Sequence, residues 1–294
     1  MRYRIAFFGT TEYSLKILEK LIGVHDVCAI FTKEPSPVFN FAREKNLKFF
    51  TGNPNSPTAY TFLKVLRPHL GIVAAYGYII SKEVLRTTGI GFIGVHPSLL
   101  PKYRGPAPIQ WALLNGEKKT GITTFWMTEK VDAGNILMQR EVEIKDGETY
   151  GELVIRLGEL SGDLLLETLD NLRELDAGIP QDEKEATYAP KIEKAMCRIN
   201  WQEDAEKITN KIRAFSPKPG AFCFFRGKRI IILKAKVENK DLKPGEILKD
   251  KKHLIVGAGK GSIEILELKP EGKKIMTGLD FLNGYRIKEG EKFE

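Results

Sequence analysis

Cysteine and histidine are scarce in this chain of 294 residues, with three of the first and four of the second. Cys28, Cys197 and Cys223 are odd in number and never approach CxxC spacing, which argues against a disulfide framework and points to buried thiols in a reducing compartment. No metal is expected. Apolar residues never run long enough to span a membrane, and the stretch at residues 5–8 is too short for a secretory signal core, because Gly9 and Thr10 follow at once. The expectation is a cytoplasmic protein with no membrane partner. Glycine is missing where a dinucleotide would need it: the loop Gly9-Thr10-Thr11-Glu12 holds one glycine in place of GxGxxG, so no nicotinamide cofactor is expected.

What is present is an uneven distribution of charge. The net charge is +8, yet residues 1–190 hold 22 Lys and Arg against 23 Asp and Glu, a balance of −1, while residues 191–294 carry +9. A basic module joined to a near-neutral one suits an anionic macromolecule such as RNA. A Lys- and Glu-rich surface that only keeps the protein soluble fits the charge equally well.

The length suggests one large and one smaller domain. Apolar runs at residues 3–8, 27–31, 71–75 and 90–95 alternate with segments of helical spacing, such as Leu15, Ile17, Leu18, Leu21 and Ile22. That alternation predicts an α/β fold with a Rossmann-like, doubly wound parallel sheet. Ligands then bind beyond the carboxyl ends of the strands, where the loops starting at Gly9, Thr32, Tyr76 and His96 share one face. A strand pair at 122–127 and 136–144 and a long amphipathic helix carrying Leu153 to Leu172 close a first domain, residues 1–177. Residues 178–200 read as a linker, ending in a second domain at 201–294 whose short apolar runs predict a small antiparallel β-barrel resembling oligonucleotide-binding folds. The glycine-rich segment 257–262 lacks phosphate-loop spacing and reads as a hairpin loop.

The most informative stretch is residues 96–105, which combines a histidine at a strand end, two prolines and an apolar pair. Asp132 offers a carboxylate on the turn Val131-Asp132-Ala133-Gly134. Active sites gather in such loops, although a lone loop histidine is also commonly structural or solvated.

The string HPSLLPKYRGPAPIQWALLNG followed by VDAGNIL resembles the signature of the formyltransferases that use 10-formyltetrahydrofolate. The opening FFGTTEYS and VAAYGYII at 73–80 agree with it. ATYAPKIEKAMCRINW, IRAFSPKPGAF, PGEIL and LKPEGKKIMTGLDFLNG are similar to the C-terminal region of the members that formylate methionyl-tRNA, so the resemblance covers nearly the whole chain. It implies formyl transfer from 10-formyltetrahydrofolate to the amine of initiator methionyl-tRNA; separately, a monomer is expected. It implies a charged His96 donating to the oxygen of a tetrahedral intermediate, with Asp132 holding the imidazole and relaying the amine's proton. Ser98, Leu99, Leu100 and Pro101 are expected to contact the folate, backbone groups near Tyr78, Ile79 and Val131 to bond the pterin edge, and Gly9, Thr10 and Arg104 to face the acceptor. A phosphate partner and a tie to a backbone carbonyl in its own loop are both open for Arg104.

Two departures stand out. Transferases of this kind usually carry an asparagine two residues before the histidine, where this chain has Gly94, and residues 32–37 pass directly into a helix where methionyl-tRNA enzymes insert a basic segment. The alternatives are therefore formylation of an amino sugar on a nucleotide, hydrolysis of the formylated folate, and a non-catalytic RNA-binding protein; the presence of both His96 and Asp132 argues against the last.

Overall fold

Short apolar runs alternate with capped helices through the first half of the chain, and the computed structural model, which describes residues 1–248, 252–288 and 290–294, shows what they build. The order is β1 (Arg4–Gly9), α1 (Glu12–Ile22), β2 (Asp26–Thr32), α2 (Pro37–Glu44), β3 (Phe49–Thr51), α3 (Pro57–Leu66), β4 (Leu70–Ala74), α4 (Lys82–Leu85), β5 (Gly91–His96), α5 (Pro108–Leu114), β6 (Lys119–Trp126), β7 (Ile136–Glu143), α6 (Tyr150–Asp170) and α7 (Leu172–Leu175). Helix starts are set locally. Ser36 and Ser56 cap α2 and α3 ahead of a proline at the first turn, Ser81 caps α4, and Thr11 and Ser14 form a reciprocal capping pair on α1.

The seven strands pair in the order β3-β2-β1-β4-β5-β6-β7. The first five are parallel, as the strand-helix alternation predicts, and β6 and β7 extend the sheet antiparallel. β3 was not read from the sequence, because three residues are too few to show a period. The chain winds outward from β1 through β2 and β3 and then returns to β4, so the crevice for a ligand opens at the carboxyl ends of β1 and β4. Beneath it, Phe8 stacks on Phe31 at 4.4 Å between ring centroids and meets Tyr76 edge-on at 5.5 Å.

Two compact units divide the chain, one of residues 1–108, 119–143 and 154–191 and one of residues 109–118, 144–153 and 192–294. In the second, α8 (Ala205–Phe215) precedes β8 (Ala221–Phe225), β9 (Lys228–Glu238), β10 (Leu254–Gly257), β11 (Ser262–Pro270), β12 (Met276–Thr277) and α9 (Gly278–Tyr285). The strands form a curled antiparallel sheet in the order β10-β11-β9-β8, with β12 paired to β11. It is a half-barrel. Phe225, Phe281 and Phe293 make its aromatic core, and residues 257–262 close the β10–β11 hairpin. All three cysteines are buried. Among the described residues no helix is long and apolar enough to cross a membrane.

Candidate functional site

His96 is the last residue of β5, only 6% exposed, with Nε2 2.9 Å from the carbonyl oxygen of Tyr103. A carbonyl can only accept, so Nε2 carries the proton of that bond and Nδ1 is the atom left for other work. Nδ1 faces Asp132 Oδ2 at 3.6 Å. The same oxygen accepts from the Gly105 amide at 2.8 Å, so one carboxylate pins the loop after β5 to the turn after β6. Asp132 itself sits at φ +50°, a left-handed conformation that side chains seldom adopt. Glycine is required at 134, where a Cβ would run into the carbonyl of Trp126.

The unusual backbone at Asp132 is held by Gln181. Its Nε2 donates to the carbonyls of Asp132 and Gly134 at 2.9 and 2.7 Å, and its Oε1 accepts from Arg104 Nε and Nη2 at 3.1 and 2.8 Å. Arg104 is 3% exposed and also forks onto the Glu183 carboxylate at 2.9 and 3.0 Å. Its hydrogen bonds hold the Glu183 carboxyl below its ordinary range. The guanidinium is thus turned inward onto residues 181 and 183, a segment read from sequence as linker. Gln181 was missed because no period marks it; its only signal is a lone neutral residue between Pro180 and a charged run.

Residues 98–101 are engaged with the sheet below. Ser98 Oγ donates to the Lys102 carbonyl at 2.6 Å, and Thr123 on β6 donates to the Ser98 carbonyl at 2.7 Å while accepting from the Leu100 amide at 3.1 Å. Gln139 on β7 donates to the Leu100 carbonyl and to the same Thr123 hydroxyl. Gly121 leaves room for the Leu99 side chain. The loop that carries His96 is therefore riveted to two neighbouring strands.

Beside this loop lies a cavity of about 350 Å³. Val73, Gly94, Phe125 and Met127 make an apolar floor, Tyr78, Ile79 and Val131 stand at its rim with 40, 72 and 58% exposure, and His96 and Asp132 share one wall. Ser98, Leu99, Leu100, Pro101 and Arg104 are not in the wall. Nor are Gly9 and Thr10, but Thr10 Oγ1 donates to the carbonyl of Ala75, a wall residue, at 2.9 Å. Gly94 has a direct steric partner: a Cβ there would fall within the Phe125 ring, so that ring fills the place a side chain at 94 would take. Tyr76, also in the wall, has a buried hydroxyl with no partner, and burial pushes its pKa up. Among the described residues, no group of three His, Cys, Asp or Glu could hold a metal ion. A flat, partly polar ring suits a slot of this size with apolar faces and polar edges.

Two family models match the chain, formyl transferase over residues 25–169 and formyl transferase, C-terminal domain over residues 191–286. The methionyl-tRNA formyltransferase of Carboxydothermus hydrogenoformans is 44% identical over 306 residues, spanning 99% of each chain, and that of Dictyoglomus thermophilum is 40% identical over 99% of this chain and 100% of its own. Among solved structures, the sugar 3N-formyl transferase WlaRD superposes with a TM-score of 0.69 at 16% identity, covering 93% of this chain and all of that one. HypX from Aquifex aeolicus, solved with tetrahydrofolic acid, matches with a TM-score of 0.68 at 21% identity over 99% of this chain and 49% of its own. At those identities the two structures share the fold alone.

Proposed function

The chain belongs to the formyl transferase family, and on that footing we propose that it transfers the formyl group of 10-formyltetrahydrofolate to the amino group of methionyl-tRNA in the cytoplasm. The observation that carries the reading is His96 facing Asp132 at 3.6 Å across the edge of an apolar cavity, within a chain that aligns end to end with methionyl-tRNA formyltransferases.

In this reading the floor at Val73, Gly94 and Phe125 receives the flat ring of the carrier, and backbone groups at Tyr78, Ile79 and Val131 meet its polar edge. Ser98, Leu99, Leu100 and Pro101 hold the loop that aims His96. The amine of the acceptor bonds to the formyl carbon, the bond from that carbon to the carrier nitrogen breaks, and the proton lost by the amine ends on that nitrogen. His96, with a proton on both ring nitrogens, donates from Nδ1 to the formyl oxygen as negative charge builds there, and Asp132 accepts the amine's proton and returns it. The apolar floor beside the pair lowers the local polarity, which strengthens both interactions. Residues 191–294 carry the positive excess, and the curled half-barrel they build takes the body of the tRNA through phosphate contacts.

His96→Ala and Asp132→Asn test the assignment. Each is expected to lower kcat by at least about a hundredfold with the fold intact by circular dichroism; wild-type turnover in either variant would remove the site. A second reading, hydrolysis of the carrier, is favoured by one observation: Phe125 occupies the space of the amide donor usual in transferases.

A further inference from the structure

Although the loop after β2 is short, it sets one cation beside the cavity. Lys33 directly follows β2; its ammonium lies 4.1 Å from the centroid of the Tyr78 ring and 3.4 Å from the Gly77 carbonyl oxygen. It has no carboxylate partner among the described residues. An aromatic face and a carbonyl both attract an ammonium, so the nitrogen is seated, and the charge is neutralised by neither. Seating matters because a free lysine side chain loses about 2 kcal/mol of rotamer entropy when it is fixed. This one is largely fixed already.

Tyr78 and its neighbour Tyr76, 5.3 Å away between centroids, are both in the cavity wall. Ala75 and Gly77 in the same segment adopt positive φ and receive, respectively, the Thr10 hydroxyl and the Lys33 ammonium. The loops after β1, β2 and β4 thus meet in one ridge at the cavity mouth, with Lys33 as its cation.

We infer that Lys33, seated on Tyr78, binds a backbone phosphate near the 3′ end of the acceptor RNA, an inference that rests on the proposed acceptor. The amino acid is esterified to the terminal ribose, so when its amine reaches His96 the last phosphates lie within a nucleotide or two of the cavity mouth. A phosphodiester oxygen is the anion that this reach delivers to Lys33, and a compact ammonium serves it as a point charge.

The test compares wild type with Lys33→Ala and Lys33→Arg, using full-length methionyl-tRNA across a salt series and, separately, methionine esterified to adenosine, which has no phosphate. Lys33→Ala should raise KM for methionyl-tRNA about five- to tenfold. It should make the fall of log(kcat/KM) with log salt shallower by about 0.7 to 1, while Lys33→Arg restores both. kcat, KM for 10-formyltetrahydrofolate and turnover of the adenosine ester should not change. An unchanged KM and salt slope overturns the inference, and a rise confined to the KM of the formyl donor overturns it in favour of a carboxylate on that donor. A wild-type protein that never formylates methionyl-tRNA refutes the acceptor itself, a failure that is seen before any variant is made.

Discussion

At the scale of single residues, the site depends on what holds Asp132 as much as on Asp132 itself. A left-handed aspartate persists only where its surroundings over-determine it, and Gln181 does so with two donated and two accepted hydrogen bonds. Gln181→Ala should lower kcat roughly tenfold to a hundredfold, because a small misplacement of a reacting group is costly. Its thermal unfolding should shift far less, and Gln181→Glu should not rescue it, since a carboxylate cannot donate to two carbonyls; steady-state kinetics beside a melting curve check both points. Gly94 poses the opposite problem. Restoring the asparagine usual in transferases should destabilise the fold by about 1 to 3 kcal/mol, because the Phe125 ring is in the way. Gly94→Asn combined with Phe125→Ala should cost less than the sum of the two single changes, which a double-mutant cycle in denaturant measures.

Among the elements, the loop after β5 is precise because Thr123 and Gln139 bind its backbone from the strands beneath. Thr123→Val strands a buried amide and a buried carbonyl and should cost about 1 to 3 kcal/mol, with activity falling further than stability alone explains. In the second unit, Arg226 forks onto Glu291 at 2.7 and 2.8 Å and pulls its pKa from the ordinary 4.5 to about 2. A depressed folded-state value means the stabilisation is complete above pH 4.5 and lost as pH falls towards about 2. The gap in melting temperature between wild type and Glu291→Gln should therefore narrow across that window. Strand-helix alternation, the β6–β7 pair and α6 were legible because each rests on a local period, whereas the pairing of His96 with Asp132 was implied only by the family resemblance. The inward fork of Arg104 and the role of Gln181 were not legible, since they are made by contacts across 47 to 79 residues of chain that leave no local pattern, and the three residues of β3 are too few to show a period. The expected barrel was legible only as antiparallel strands; their curl into a half-barrel is a tertiary property.

For the whole molecule, charge is the divided quantity: the first 190 residues are near neutral and the rest carry +9. Affinity for methionyl-tRNA should fall steeply between 50 and 200 mM salt, by about 10³ if six phosphates are engaged, while affinity for the folate hardly changes. Filter binding across a salt series checks this. The central claim is that a charge-tolerant pair at the mouth of an apolar cavity hands the formyl carbon to an amine and not to water, even with Gly94 in place of a donor. The most direct measurement is a single turnover with labelled 10-formyltetrahydrofolate in the presence of methionyl-tRNA, partitioning the label between N-formylmethionyl-tRNA and free formate. Label predominantly on the tRNA is the predicted result; label predominantly in formate, with or without the tRNA, would contradict the account.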